Sequence, residues 1–179
     1  MRPNPFTLSL SSGIQVHPAK NGYILGFASH NGANVPPSLT VPAVPGLENA
    51  IAHLKEGTAT LQQLTQNLGK QEGEEAGEQL AITLQQIDER GWLQYAVLPL
   101  AIAVPMVESA TLDLDAPHWT QASVSLSRFA YQRSHEGGMV LESPLSKFRV
   151  KLLDWRASAI LAQLAQPRSL RNVTPPPQV

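Results

Sequence analysis

The sequence contains no cysteine among its 179 residues. Disulfide bonds, thiolate catalysis and cysteine-ligated zinc are therefore excluded. No signal peptide is expected, because the first residues include early prolines and no long apolar segment. The longest apolar run, 96–107, is interrupted by Pro99 and Pro105 and is far shorter than the roughly 20 residues that a membrane helix needs. We therefore expect a cytoplasmic protein with no membrane partner.

Motifs of catalysis and of nucleotide binding are also missing. The five histidines are scattered without the spacing of a metal site, and no G-x-S-x-G elbow, P-loop or G-x-G-x-x-G motif occurs. Asp113, Asp115 and His118 lie in a polar stretch that is typical of a linker. We expect no catalytic residue, no metal and no cofactor in this chain, and we do not expect it to be an enzyme by itself.

The hydrophobic periodicity predicts a mixture of short strands and helices. Alternation and β-rich composition predict strands at 6–11, 22–27 and 39–41. Apolar residues then recur at helical spacing, which predicts helices over 47–54, 60–68 and 74–90, ended by Gly57, Gly69 and Gly91. Residues 70–73 are predicted to be a polar loop. Strands at 92–98 and 101–107 would form a hairpin, so the order is that of a winged helix-turn-helix with the hairpin as its wing.

Internal similarity indicates that this arrangement begins a second time. Ser9-Leu10-Ser11 and Gly22-Tyr23-Ile24-Leu25 reappear 116 residues later as Ser125-Leu126-Ser127 and Gly138-Met139-Val140-Leu141. With one loop shortened by seven residues, the offset becomes 109, and it then matches Val41 with Val150, Ala50-Ile51 with Ala159-Ile160, Thr60-Leu61 with Ser169-Leu170 and Leu64 with Val173. Constant offsets with one deletion indicate a duplication.

The sequence thus predicts an α+β fold of tandem winged-helix-like units. The first unit would span residues 1–110, a linker 111–122, and the second unit 123–179. The second unit is expected to be incomplete, because it ends inside its second helix and half a domain buries too little surface to offset its ordering entropy. A longer chain, or a partner that supplies the other half, is the expected context.

The segment 127–167 resembles a known family. Its marks are Ser127-Arg128-Phe129, Tyr131, the run Glu142-Ser143-Pro144-Leu145 and an alanine-rich helix after Asp154. In these features it is similar to the stretch before the flavin domain of SagB-type azoline dehydrogenases, which include the cyanobactin oxidases. The first unit resembles the upstream winged-helix unit of the same family more loosely.

The resemblance implies a role in the biosynthesis of ribosomally made peptide natural products. Enzymes of this family use FMN to oxidise thiazolines and oxazolines in precursor peptides. FMN would bind in a nitroreductase-like domain beyond this segment, so no catalytic residue is carried over to any position here. The resemblance implies as partners the precursor peptide, the cyclodehydratase or the flavin domain itself. A homodimer of the full-length protein is a further expectation, and the chain could also act as a scaffold.

Two binding functions compete for the first unit. A winged-helix transcription regulator would need cations on its recognition helix, but residues 70–90 contain six acidic and only two basic residues, so we expect no nucleic acid as partner. Peptide binding by strand addition suits the wing better, with the strand 92–97 as acceptor and the preceding helix beside it. The predicted contacts are Ile82, Gln85, Gln86, Trp92, Leu93, Gln94 and Tyr95. For Trp92 the favoured interpretation is a core residue that seals the junction of helix and wing, and a peptide contact is the alternative.

Overall fold

The computed structural model describes residues 6–27, 37–112, 122–174 and 176. The first copy contains seven strands and three helices: β1 (Thr7–Leu10), β2 (Ile14–Ala19), β3 (Gly22–Phe27), β4 (Ser38–Pro42), α1 (Leu47–Glu56), β5 (Ala59–Thr60), α2 (Leu61–Glu72), α3 (Glu74–Glu89), β6 (Leu93–Val97) and β7 (Ala101–Pro105). The second copy continues with β8 (Ser123–Val124), β9 (Tyr131–His135), β10 (Gly138–Glu142), β11 (Phe148–Leu152), α4 (Trp155–Gln163), β12 (Arg168–Ser169) and a 3-10 helix (Leu170–Asn172).

The predicted α+β class with winged-helix-like units is confirmed. In the first copy, α1, α2 and α3 precede the hairpin β6–β7, which is the wing. The core lies under these helices, where one apolar face of α1 meets the sheet. Its members are buried apolar side chains of strands and helices, among them Leu8, Leu25, Val41, Leu47, Leu54, Leu80, Leu84 and Ile87. No helix within the described residues is long and apolar enough to cross a membrane.

The strands form three sheets. The meander β2-β3-β4 is a sheet of its own, and β8 pairs with β12. The largest sheet has the order β5-β1-β6-β7-β11-β10-β9, so it contains strands of both copies. The junction is the antiparallel pair of β7 with β11, in which Ala103 lies opposite Val150. Most of the predicted linker, 113–121, lies outside the described residues.

Strand register supports the duplication. In the first copy Thr7 pairs with Thr60 and Leu8 with Ala59; in the second, Ser123 pairs with Ser169 and Val124 with Arg168. Adding 116 to positions 7 and 8, and 109 to positions 60 and 59, gives the paired positions of the second copy. Thr60 caps α2 by accepting from the Gln63 N–H, and Ser169 does the same for the Arg171 N–H. The two copies therefore share local geometry as well as sequence.

The prediction of one shortened loop is wrong in its detail. Leu25 pairs with Leu39 in the first copy, and its equivalent Leu141 pairs with Val150 in the second. The offset at β11 is therefore 111, which matches Val150 with Leu39 and not with Val41. The connection between β3 and β4 is shortened by five residues, and the connection from β4 to α1 by two more. The sequence pattern does not reveal this shift, because a slip of two residues leaves every side chain on the same face of the strand. The pairing of β3 with β4 and of β10 with β11 does reveal it.

Three other boundaries differ from the prediction. Strand β2 was not predicted, although Ile14 and Val16 alternate with polar residues. The first strand of the second copy is at β8, two residues before the segment 125–127. Helix α2 continues through Gly69 to Glu72, so the predicted loop 70–73 is helical as far as Glu72. Gly69 does not end the helix. The close approach of α3 to α2 instead requires glycine at position 77, where a Cβ would lie 2.9 Å from the Thr65 backbone oxygen.

Gly22 is required where β3 passes beside β4. Its φ is +145°, and a Cβ there would lie 2.0 Å from the backbone oxygen of Val41. Gly137, in the turn between β9 and β10, also has a positive φ of +78°, but a Cβ there meets nothing within 4 Å. The two glycines thus separate the cost of a backbone clash from the cost of a positive φ alone.

We predict that Gly22→Ala lowers the free energy of unfolding by about 2 kcal/mol or more, because β4 must move away. Gly137→Ala is the control and should cost only about 1 kcal/mol, the usual penalty of a left-handed conformation. Urea denaturation followed by circular dichroism measures both. Equal losses would contradict the assignment of a clash at Gly22.

Candidate functional site

The wing strand proposed as a peptide acceptor lies inside the large sheet. Strand β6 pairs with β1 on one side, where Leu8 faces Tyr95, and with β7 on the other, where Ala103 faces Tyr95. Its backbone groups are therefore used on both edges. The prediction that a peptide adds to the strand 92–97 is wrong for this reason, since strand addition needs a free edge.

The side chains predicted as contacts on this strand are buried. Trp92, Leu93 and Tyr95 belong to the core, and Gln94 is buried beside them. The Trp92 ring packs edge-to-face on Phe27, with centroids 6.0 Å apart, and its carbonyl accepts from the Ser11 N–H at 2.8 Å. Trp92 is therefore a core residue, as the sequence allowed, and its ring packs against β3.

Tyr95 connects three parts of the fold. Its hydroxyl donates to Asp88 Oδ1 of α3 at 2.5 Å, and its ring packs edge-to-face on Phe148 of β11, with centroids 6.2 Å apart. Burial raises the pKa of Tyr95 well above its usual range, and burial is also the main cause that raises the pKa of Asp88. The side chain predicted as a peptide anchor thus joins α3, the wing and the second copy.

The predicted contacts on α3 lie on its exposed face. Ile82 is 58% exposed, and Gln85 and Gln86 beside it are exposed too. Gln85 donates to Glu89 Oε1 at 2.9 Å, so part of this face is bonded within the helix. Peptide binding by Ile82, Gln85 and Gln86 stays a prediction.

Strand β4 has an unpaired outer edge within the described residues. It pairs with β3 on one side, and the order β2-β3-β4 places no described strand on the other. The Ala43 N–H donates to the Asn21 oxygen at 3.0 Å, which makes residues 21 and 43 a hydrogen-bonded pair. Bonded and non-bonded pairs alternate along an antiparallel ladder. The N–H and C=O groups of Ser38 and Thr40 therefore point away from β3.

The equivalent edge of the second copy is occupied. Strand β11 carries β7 as its outer neighbour over five residue pairs. The Met106 N–H donates to the Lys147 oxygen and the Leu153 N–H to the Leu100 oxygen, both at 2.9 Å. Residues 147, 149, 151 and 153 therefore turn their backbone groups towards the wing. At the offset of 111, Arg149 and Lys151 correspond to Ser38 and Thr40, whose groups are turned outward in the same way.

A cluster of charged side chains covers one face of β9, β10 and β11. The buried Glu142 carboxylate accepts from Arg133 Nε at 2.8 Å and from Tyr131 Oη at 3.1 Å, and it also contacts Arg149. His135 Nε2 lies 2.9 Å from Arg149 Nη1. Hydrogen bonding from Arg133, with contributions from Tyr131 and Arg149, lowers the pKa of Glu142 to about 2.

This cluster makes stability depend on acid. Because the pKa of Glu142 is lowered by folding, its contribution is present above its ordinary value of 4.5 and is lost as the pH falls towards 2. We predict that Glu142→Gln is less stable than the native chain at pH 6 and loses less further stability between pH 6 and pH 3. Urea titrations at both pH values test this, and parallel losses in the two proteins would contradict it.

No group of three His, Asp or Glu side chains that could hold a metal occurs among the described residues. The groove between α2 and α3, about 660 Å³, is wide open and is lined by Thr65, Gln66, Gly69, Lys70, Glu74, Gly77, Glu78 and Ala81. The groove carries two glutamates against one lysine, Lys70, and this excess of negative charge does not suit the phosphate of a flavin nucleotide.

Two family models match the chain. The model described as the ThcOx helix turn helix domain matches residues 2–114, more than half of the chain, and the model described as cyanobactin oxidase ThcOx matches residues 124–177. The resemblance that the segment 127–167 carries is confirmed by the second match. No curated protein matches the chain.

Proposed function

The chain belongs to the family of ThcOx helix-turn-helix domains, as part of a cyanobactin-oxidase-related protein, and we propose that it recognises the precursor peptide. The oxidation of thiazolines and oxazolines with FMN would take place in a flavin domain outside this chain. The chain presents the peptide to that domain and contributes no catalytic residue.

The unpaired edge of β4 is the observation that carries this proposal. The N–H and C=O groups of Ser38 and Thr40 face outward without a strand partner among the described residues. An extended peptide can add to such an edge by main-chain hydrogen bonds, while alternate side chains provide specificity. Within the same molecule, the equivalent edge of β11 already binds a strand.

The alternative functions have weaker support. The exposed face of α3 also suits a protein partner such as the cyclodehydratase or the flavin domain, and Ile82 is the exposed apolar side chain there. A transcription regulator is disfavoured by the acidic α3, whose first turn carries Glu74 and Glu75, because these charges repel DNA phosphates.

Thr40→Pro tests the proposal. Proline removes the outward N–H of residue 40 but no hydrogen bond of the β3–β4 ladder, and proline is tolerated at strand edges. We predict that it weakens binding of a fluorescein-labelled precursor leader peptide by about tenfold or more in fluorescence anisotropy, since the added strand loses hydrogen bonds.

Thr40→Ala is the matched control. It removes only an exposed hydroxyl and should leave the affinity within about twofold. Circular dichroism establishes that both variants are folded, and a random DNA duplex is titrated in parallel. Undiminished peptide binding by folded Thr40→Pro would refute the β4 site, and binding of DNA alone would refute peptide recognition.

Ile82→Glu tests whether α3 takes part. Because Ile82 is 58% exposed, the substitution should change the free energy of unfolding by less than about 0.5 kcal/mol. If the peptide also contacts α3, its affinity falls, and Gln79→Glu one turn earlier serves as a charge-matched control. Identical affinities of the two variants and the native chain would remove α3 from the site.

A further inference from the structure

The outer edges of β4 and β11 are equivalent in the two copies, and the edge of β11 is already occupied by β7 of the same chain. The offset of 111 places β11 on β4, and it conserves the direction of the backbone groups as well as the pairing with the neighbouring strand. Strand β7 runs antiparallel to β11, with Ala101 opposite Leu152 and Pro105 opposite Phe148. The wing of the first copy therefore stands where a peptide would bind in the second copy.

The sequence of β7 alternates in a way that suits this edge. Ala101 and Ala103 lie opposite Leu152 and Val150, while Ile102 and Val104 lie opposite Lys151 and Arg149. The two alanines therefore lie on the same face of the sheet as the large apolar residues of β11, and the two β-branched residues lie on the opposite face. The strand carries no charge.

The side chains of β4 can be compared with those of β11 at the offset of 111. Leu152 and Val150 correspond to Val41 and Leu39, of which Val41 is fully buried and Leu39 packs against the core. A residue bound opposite Val41 and Leu39 would lie on the core side of β4, as Ala101 and Ala103 do beside Leu152 and Val150, so a small side chain is expected there. Ser38 and Thr40 are exposed on the opposite face, where a β-branched residue has room.

We infer that the chain binds one peptide, at β4, and that the bound segment has the pattern of β7. That segment is antiparallel to β4, extended and uncharged, with small residues on the core side and β-branched residues on the outer side. The second copy takes no peptide at β11, because the wing fills that edge. The inference rests on the proposed function, and it adds the number of sites and the class of peptide.

The test uses the full chain and a labelled seven-residue peptide with the sequence of residues 100–106. The control peptide has the same composition but exchanges its two alanines with the isoleucine and the valine, which inverts the pattern across the strand. We expect the control to bind about tenfold more weakly by anisotropy. Native mass spectrometry should show one bound peptide per chain, and none on folded Thr40→Pro.

The outcomes separate this inference from the proposed function. Two peptides per chain, equal affinity for the two sequences, or binding retained by Thr40→Pro would each overturn the inference. If the leader peptide binds but the wing peptide does not, the inference falls and the proposed function stands. If neither peptide binds, the proposed function falls with it.

Discussion

The antiparallel pairing of β7 with β11 is the interaction on which the architecture depends. It joins the wing of one copy to the meander of the next, so two repeats become one seven-stranded sheet. Contacts around it reinforce the junction. Tyr95 packs on Phe148, and the Lys147 ammonium donates to the Ser109 carbonyl at 3.3 Å. The copies cannot turn independently, because relative rotation would break the backbone ladder between them.

Equivalent helices of the two copies show how burial depends on neighbours. In α1, Leu47, Ala50, Ile51 and Leu54 are all buried, since α2 and α3 complete the core above them. In α4 only Ala157 is buried, and Trp155 at its start is 57% exposed. Similar apolar patterns therefore give different burial, because in the described part of the second copy only a 3-10 helix occupies the place of α2.

Local patterns predicted much of the fold. The periodicity of α1 and α3 and the wing hairpin identified the winged-helix-like unit, since these signals depend only on neighbouring residues. The repeat was also detectable from the sequence, although the shortening by seven residues was assigned to one loop and is in fact shared by two. The extent of α2 was not predictable, because Gly69 resembles a helix stop in sequence, whereas the helix continues through it to Glu72.

The candidate site was harder to predict for a similar reason. A β-rich strand with aromatic residues, 92–97, suggested a peptide acceptor, but its place between β1 and β7 depends on pairings that are distant in sequence. The edge at β4 gave no signal by itself, since Ser38 and Thr40 are ordinary strand residues. The offset between the repeats could have revealed β4 as the counterpart of β11, but not that β11 is occupied.

The overall charge of -1 conceals an uneven distribution of charge along the chain. Residues 122–179 hold eight Lys or Arg against three Asp or Glu.

The shared sheet affects how the chain folds while it is being translated. Ribosomes make the wing before β11, and 43 positions separate Pro105 from Phe148. At about 5–20 residues per second, the nascent chain holds β7 without its partner for roughly 2–9 seconds. Unpaired strand edges are templates for association with other chains, and β7 bears no charge to prevent it. The first copy is therefore most exposed to aggregation while the second is being translated.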